Sequence, residues 1–272
     1  MNYQSFPVAN LSLNSFNNQE KSEEKVKAVV LAGGEGLRLR PLTYYFQKCM
    51  IPIGSKQKPL LEYVIRLLRY HSITEVCILA GYKADQIENY FDDGRRFGVK
   101  ISYVLDAFNM KGTACALLNA YLAGVLNENN LLLIYYGDIL TNLNIKDVLN
   151  YHKEKGATAT VVLSMNYPIQ VGIAELSNDF RIVKFVEKPD LKVPVSIGVL
   201  VLSGRVFAYL KQMWNGGYCD LDIMRDLIPF LISRNESVFG YVTSSFWYDV
   251  GTTEKYEKLP NYTIEKELSF LF

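Results

Sequence analysis

The sequence predicts an α/β protein in which a mainly parallel sheet is covered by helices on both faces. Two observations carry this. From Val26 onward, short β-branched and apolar runs alternate with stretches of helical period, the pattern of strands joined by crossover helices. The first run, Val29 to Leu31, enters a turn holding Gly33, Gly34 and Gly36, with Arg38 and Lys48 following. Glycines without a Cβ let backbone N–H groups approach anionic oxygens closely, and the carboxyl end of a parallel strand is where such sheets bind ligands. Three close glycines also make an ordinary tight turn; the two cations beside them favour a phosphate loop.

The elements follow in order. Val29 to Leu31 is the first strand, and Pro59 to His71 a helix with Leu60, Leu61, Val64, Ile65 and Leu68 on one stripe. Glu75 to Ala80 is a strand, Ala84 to Phe91 a helix, Lys100 to Val104 a strand, and Thr113 to Val125 a helix opening after Lys111-Gly112. Leu131 to Tyr136 reads as a buried strand ending in Gly137-Asp138, and Ile145 to Lys155 as a helix. A β-richer stretch over Thr158 to Ser164, Val171 to Leu176 and Arg181 to Val186 suggests a small second lobe. Val199 to Leu202 is another strand, Val206 to Met213 and Leu221 to Ile232 are helices, and Val238 to Val250 holds two short strands ending at Asp249. Residues 1–25, rich in Asn, Ser, Gln and Glu, are expected to form a disordered tail, leaving one domain over 26–272.

Composition narrows the classes of function. The 272 residues are 49% hydrophobic and carry a net charge of +1, so no bulk charge favours nucleic acid or an anionic membrane. Neither is expected as a partner. With no apolar run long enough to span a bilayer and no leader pattern, a cytoplasmic protein is expected. Cys49, Cys77, Cys115 and Cys219 show no Cys-x-x-Cys spacing, and His71 and His152 are the only histidines. Zinc sites and disulfides are therefore not expected, and the cysteines are read as reduced core residues. The apolar end Leu268 to Phe272 is expected to pack on the core, though a homo-oligomer is compatible with it.

Several residues could carry chemistry. Asp138 and Asp249 each end a strand, and two carboxylates at one sheet edge suit Mg²⁺, which takes one or two carboxylates with phosphate oxygens and water. Each alone is equally a turn-forming Asp. Glu187-Lys188-Pro189 ends another strand with a carboxylate beside an ammonium, which is also what a solvated strand end looks like. Gly112-Thr113 at a helix start offers N–H groups to a base or phosphate, or Thr113 caps its helix. The third glycine of a dinucleotide fingerprint and the Gly-Lys-Ser/Thr of a P-loop are both missing.

In this order the motifs resemble the sugar-1-phosphate nucleotidyltransferase family from Val26 to about Leu259. Leu31 to Thr43 resembles the signature loop Leu-Ala-Gly-Gly-x-Gly-Thr-Arg-Leu-x-Pro-Leu-Thr, and Gln47 to Pro52 the Pro-Lys-Pro-Met-x-Pro segment. Gly112-Thr113-Ala114, Gly137-Asp138, Glu187-Lys188-Pro189 and Trp247 to Thr252 resemble the later motifs. The resemblance implies a Rossmann-like fold; family members often add a C-terminal left-handed β-helix, for which Pro260 to Phe272 is too short, so neither that domain nor acyltransferase activity is expected. It implies attack by a sugar-1-phosphate on the α-phosphorus of a nucleoside triphosphate, giving a nucleotide sugar and pyrophosphate. By that resemblance Arg38 and Lys48 are catalytic and, with Leu31, Ala32, Gly33, Gly34, Gly36, Gly112 and Thr113, bind the nucleotide. Gly172, Glu187, Lys188 and Ser196 would bind the sugar phosphate in a small β-rich lobe, and Asp138 and Asp249 would hold Mg²⁺.

The chain departs from the pattern at Leu37 for Thr, at Gln47 and Cys49 for the prolines flanking the lysine, at Val171 for Tyr, and at Ser196 to Leu200 for Asn-Ala-Gly-Ile-Tyr. A carboxylate suits guanine's N1–H and 2-amino group, so Asp106, in a segment lacking Gln, leans toward the mannose-1-phosphate guanylyltransferase branch. The favoured pair is GTP and mannose-1-phosphate; the alternative is glucose-1-phosphate with dTTP or UTP. Leu37 keeps open a non-catalytic nucleotide-sugar sensor. Asp220-Leu221-Asp222 has the Asp-x-Asp spacing of a glycosyltransferase metal site, but capping of the helix after it is preferred.

Overall fold

The computed structural model describes residues 25–165, 167–168 and 171–272. Most of the expected tail lies outside them, and Lys25 already belongs to the first strand. Seven strands form the central sheet: β1 (Lys25–Ala32), β2 (Glu75–Ala80), β3 (Lys100–Leu105), β4 (Asn130–Tyr136), β5 (Ala159–Ser164), β6 (Val195–Ser203) and β7 (Val238–Thr243). Their spatial order is β7-β5-β6-β4-β1-β2-β3. β4, β1, β2 and β3 run parallel, β6 is antiparallel to both its neighbours, and β7 returns parallel to β5. The expected mainly parallel, helix-covered sheet is what forms.

Alternation along the strands assigns the two faces. Ala28, Val30, Val76, Ile78, Leu131 and Leu133 point to one core, where α1 (Leu60–Tyr70), α2 (Ala84–Phe91) and α4 (Ile145–Glu154) pack. Val29, Cys77, Leu79, Leu132 and Ile134 point to the other, covered by α3 (Thr113–Leu122), α5 (Val206–Met213) and α6 (Ile228–Ser233). Two short helices, α7 (Thr253–Glu257) and α8 (Asn261–Leu268), close the described chain. The last residues join the first core as expected: Leu268 and Leu271 are buried, and Phe272 meets the Tyr63 ring edge-on at 5.0 Å.

Two expectations need correcting. The β-rich stretch is not a separate lobe, because β5 pairs with β6 and β7 inside the main sheet; only an exposed ribbon, Ile173–Leu176 against Ile182–Val186, and the pair Tyr167–Pro168 with Asp190–Leu191 stand outside it. The cysteines are not all free. Cys115 and Cys219 form a disulfide across 104 residues, their Cα atoms 6.0 Å apart, while Cys49 and Cys77 are buried thiols. What brings the two together is a parallel pairing of Met110–Lys111 with Cys219–Asp220, which spacing along the chain does not encode.

His152, on α4, is 3% exposed and its Nδ1 sits 2.9 Å from Thr160 Oγ1. Burial, with Arg205 and Lys153 nearby, lowers its pKa from 6.5 to about 4. The folded pKa lies below the unfolded one, so His152 costs nothing above about pH 6.5, and stability is lost as pH falls toward 4. Urea unfolding should show about 2 kcal/mol lost through this group between pH 7.5 and pH 5. A His152→Gln variant should lack that component; an identical pH dependence in both proteins would remove His152 as its source.

Candidate functional site

The loop leaving β1 folds back through three single helical turns, Leu37–Leu39, Leu42–Tyr44 and Lys48–Met50. Gly36 turns the chain with φ +63°, and a Cβ there would lie 2.8 Å from Thr43 Cγ2 and 3.2 Å from Lys48 Cβ, so glycine is required twice over. The buried Thr43 hydroxyl donates to Gly36 O at 3.0 Å and fixes the turn. Gly34 has nothing within 4 Å of where a Cβ would stand, so its backbone is open to a ligand.

This folding brings Lys48 to Asp138. Lys48 Nζ pairs with Asp138 Oδ2, the side chains being only 15% and 17% exposed. Both line a cavity of about 670 Å³ at the carboxyl edge of the parallel strands, together with Leu31, Ala32, Gly33, Gly34, Arg38, Gly112 and Thr113. Arg38 is exposed there, and its guanidinium has no hydrogen-bond or ion-pair partner among the described residues. The cavity thus holds open backbone, a free cation and a paired cation, a combination suited to a polyanion.

Two glutamines missed in the sequence hold this arrangement. Gln47 is fully buried; its Nε2 donates to Ala32 O at 2.7 Å, and its Oε1 accepts from Cys49 N at 2.5 Å. Its own N–H donates to Gln86 Oε1 at 2.7 Å, and Gln86 Nε2 donates to Tyr45 O at 2.8 Å. The carboxamides thus tie the segment bearing Lys48 to β1 and to α2. The only signal in the sequence was that Gln47 breaks the expected proline pattern. Cys49, beside Lys48, is no nucleophile: burial pushes its thiol up to about 12, and the Asp138 carboxylate adds to the shift.

Leu79, Asp106, Ala107, Phe108, Met110 and Ala116 line the same cavity. The Asp106 carboxylate lies against Gly33 and Gly81; a Cβ at Gly33 would come 2.6 Å from Asp106 Oδ2. Desolvation there raises the Asp106 pKa from its ordinary value.

Gly112 opens α3 with φ +85°, pressed against the Leu221 backbone, whose carbonyl carbon would be 2.8 Å from a Cβ. The Thr113 hydroxyl does not cap α3: it donates to Asp222 Oδ2 at 2.6 Å, accepts from Ile223 N at 2.9 Å and is hydrogen-bonded to Tyr136, another residue of the cavity wall. Asp222 in turn accepts from Met224 N and Arg225 N, so the Asp-x-Asp run is a cap, as preferred. Burial, with Asp222 nearby, raises the neighbouring Tyr136 to about 12.

Asp249 ends a strand, Trp247–Asp249, that pairs antiparallel with Ile139–Thr141, and Val250 N donates to Asp138 O at 3.0 Å. The backbones of the two aspartates are thus neighbours, while Asp249 Oδ2 is held by Lys255 Nζ at 2.7 Å. Gly172 and Glu187 meet across the exposed ribbon, where a Cβ at Gly172 would be 2.9 Å from Glu187 Oε2. Lys188, next along, takes φ +47°. Ser196 lies on β6 and its Oγ accepts from Gly198 N at 3.4 Å. None of Gly172, Glu187, Lys188, Ser196 or Asp249 lines the cavity, whereas all the residues expected at a nucleotide except Gly36 do.

A family model for nucleotidyl transferases matches residues 27–266. The chain belongs to the nucleotidyl transferase family. Curated relatives of this chain include a UTP--glucose-1-phosphate uridylyltransferase of Synechocystis, 28% identical over 89% of the chain and 64% of the relative. A mannose-1-phosphate guanylyltransferase of Mycobacterium tuberculosis is 29% identical over 85% of the chain and 63% of the relative, and a glucose-1-phosphate thymidylyltransferase of Streptomyces griseus is 31% identical over 83% and 62%. The chain spans a little over three-fifths of the length of these relatives. Among solved structures, HddC from Yersinia pseudotuberculosis aligns with TM-score 0.64 at 20% identity, over 86% of this chain and 97% of that one, a likeness of fold. No helix among the described residues is long and apolar enough to cross a membrane.

Proposed function

We propose that this protein transfers a nucleotidyl group from a nucleoside triphosphate to a sugar-1-phosphate, releasing pyrophosphate. The observation that carries this reading is one cavity holding the open Gly34 backbone, Arg38, whose guanidinium has no partner among the described residues, and the Lys48–Asp138 pair at the carboxyl edge of a parallel sheet. Transfer at phosphorus needs alignment and charge neutralisation more than a protein nucleophile, and the buried Cys49 thiol supplies none. In this reading the loop amides receive the triphosphate, Arg38 neutralises it and the departing pyrophosphate, and Lys48 orients the α-phosphate. Glu187 and Lys188 take the sugar hydroxyls and the sugar phosphate, with Gly172 and Ser196 beside them.

The residues present fit Mg²⁺ on one condition. Asp138 and Asp249 are two carboxylates with neighbouring backbones, and no cluster of three or more His, Cys, Asp or Glu able to hold a metal occurs among the described residues. Two carboxylates satisfy Mg²⁺ when phosphate oxygens and water complete its shell. Asp138 and Asp249 would therefore hold the ion in company with the substrate, where it would supply charge neutralisation to the phosphates. Lys48 and Lys255 keep the two carboxylates charge-balanced meanwhile.

For the substrate pair we favour GTP and mannose-1-phosphate, because Asp106 in the cavity wall can accept from both N1–H and the 2-amino group of guanine. The relatives named for uridylyl and thymidylyl transfer to glucose-1-phosphate support the alternative pair. Leu37, 56% exposed in the signature loop where a Thr hydroxyl is expected, favours the second reading, a nucleotide-sugar sensor. The test is pyrophosphate release with Mg²⁺ from GTP, UTP, dTTP, CTP and ATP against mannose-, glucose- and N-acetylglucosamine-1-phosphate. Release requiring both substrates supports the transferase and names its pair. Silence across the panel, with tight nucleotide-sugar binding, supports the sensor.

A further inference from the structure

Phe108 stands at the mouth of the nucleotide cavity with its side chain 100% exposed. An apolar ring of this size is ordinarily at least partly buried, and leaving it in water forgoes the favourable transfer of its surface. The segment that carries it is not loose. Asp106 N donates to Ala80 O at 2.8 Å on the way in, and Met110 N donates to Ala107 O at 3.0 Å, closing a turn whose two central residues are Phe108 and Asn109. On the way out Cys219 N donates to Asn109 O at 2.8 Å, Met110–Lys111 pairs with Cys219–Asp220, and Cys219 is bonded to Cys115 on α3. Both ends of the turn are fixed, and the one large group left unpacked is the ring.

Leu79, Met110, Ala107 and Ala116 also line the cavity, with the Asp106 carboxylate beside Gly33 as a polar group. Aliphatic walls and an edge acceptor suit a flat heterocycle with N–H donors, and the other aromatic residue of the lining, Tyr136, is already packed against both cores. We propose that Phe108 is the missing face: its ring closes over the nucleobase and stacks on it, so that the turn acts as a cover for the base. Every base has a π-face, so the ring sets how tightly a nucleotide is held, while Asp106 sets which one. This deepens the reading of the cavity as a nucleotide site and rests on it.

The experiment compares wild type, Phe108→Ala and Phe108→Tyr by pyrophosphate release under saturating sugar phosphate, and again under saturating nucleotide. Replacing a fully exposed ring at a turn tip should leave folding intact, which thermal unfolding checks. Phe108→Ala should raise the KM for the nucleotide about tenfold, the range measured for losing one base–aromatic stack. The sugar-phosphate KM and kcat should stay within about threefold, and Phe108→Tyr should restore the nucleotide KM. A nucleotide KM unchanged in Phe108→Ala, in a protein whose wild type turns over, overturns the base-cover assignment alone. A wild type that neither turns over nor binds any of the five nucleotides overturns the nucleotide site and this inference with it.

Discussion

Asp138→Asn is expected to lower kcat/KM for nucleotidyl transfer by about 10²–10³-fold or more, the range seen when one preorganised electrostatic contact to the reacting centre is lost. The carboxylate has two tasks in the proposed site: it balances Lys48, with which it pairs, and it is one of the two side chains available to Mg²⁺. Asparagine keeps the shape and removes the charge. Lys48 is then left without its counter-charge, and metal binding falls to Asp249, itself engaged by Lys255. Folding should be little affected, because the residue stands at a strand end where its backbone O still accepts from Val250 N. Steady-state pyrophosphate release across a Mg²⁺ titration, with the melting temperature as control, decides it. Activity within threefold of wild type at ordinary Mg²⁺ would remove Asp138 from the chemistry.

The second large effect needs no assumption about function. Gly112→Ala should destabilise the fold by about 3 kcal/mol, the sum of a left-handed φ and a collision that has nowhere to go. At φ +85° the new methyl would press into the Leu221 backbone, which already accepts from Ala114 N and Cys115 N and is held beside α3 by the Cys115–Cys219 bond. Gly124 is the control. Its φ is +72°, but nothing lies within 4 Å of the added carbon, so Gly124→Ala should cost only about 1 kcal/mol. Urea midpoints of the two variants separate conformational strain from collision, and equal losses would show that the Leu221 contact is not the cause.

Strands buried on both faces write themselves as continuous apolar runs, and for that reason β1, β2 and β4 were legible within a few residues. Direction was not: Val199 to Leu202 reads the same whether it runs with its neighbours or against them, and it runs against them. That Arg38, Lys48 and Asp138 come together beside the glycine loop was legible, because all of them lie at or just after the carboxyl ends of neighbouring parallel strands. Thr113 was visible as a helix-start residue, but its hydroxyl partner stands 109 residues away, and side-chain type alone does not reveal such a partner. The disulfide failed for the same reason. Phe108 could be seen only as one aromatic among many until the turn beneath it was known.

Gln47 bears on how this chain could be redesigned. A consensus approach would restore proline at 47, since that is the residue the resemblance expects beside the lysine. In this background proline would delete the N–H given to Gln86 and both carboxamide bonds, stranding the carbonyl of Ala32 in the interior. Rigidity that a proline ring would supply is obtained here from three hydrogen bonds, and a single exchange at 47 would lose these without a replacement for the Gln86 contact. Positions 47 and 86 should therefore be redesigned together.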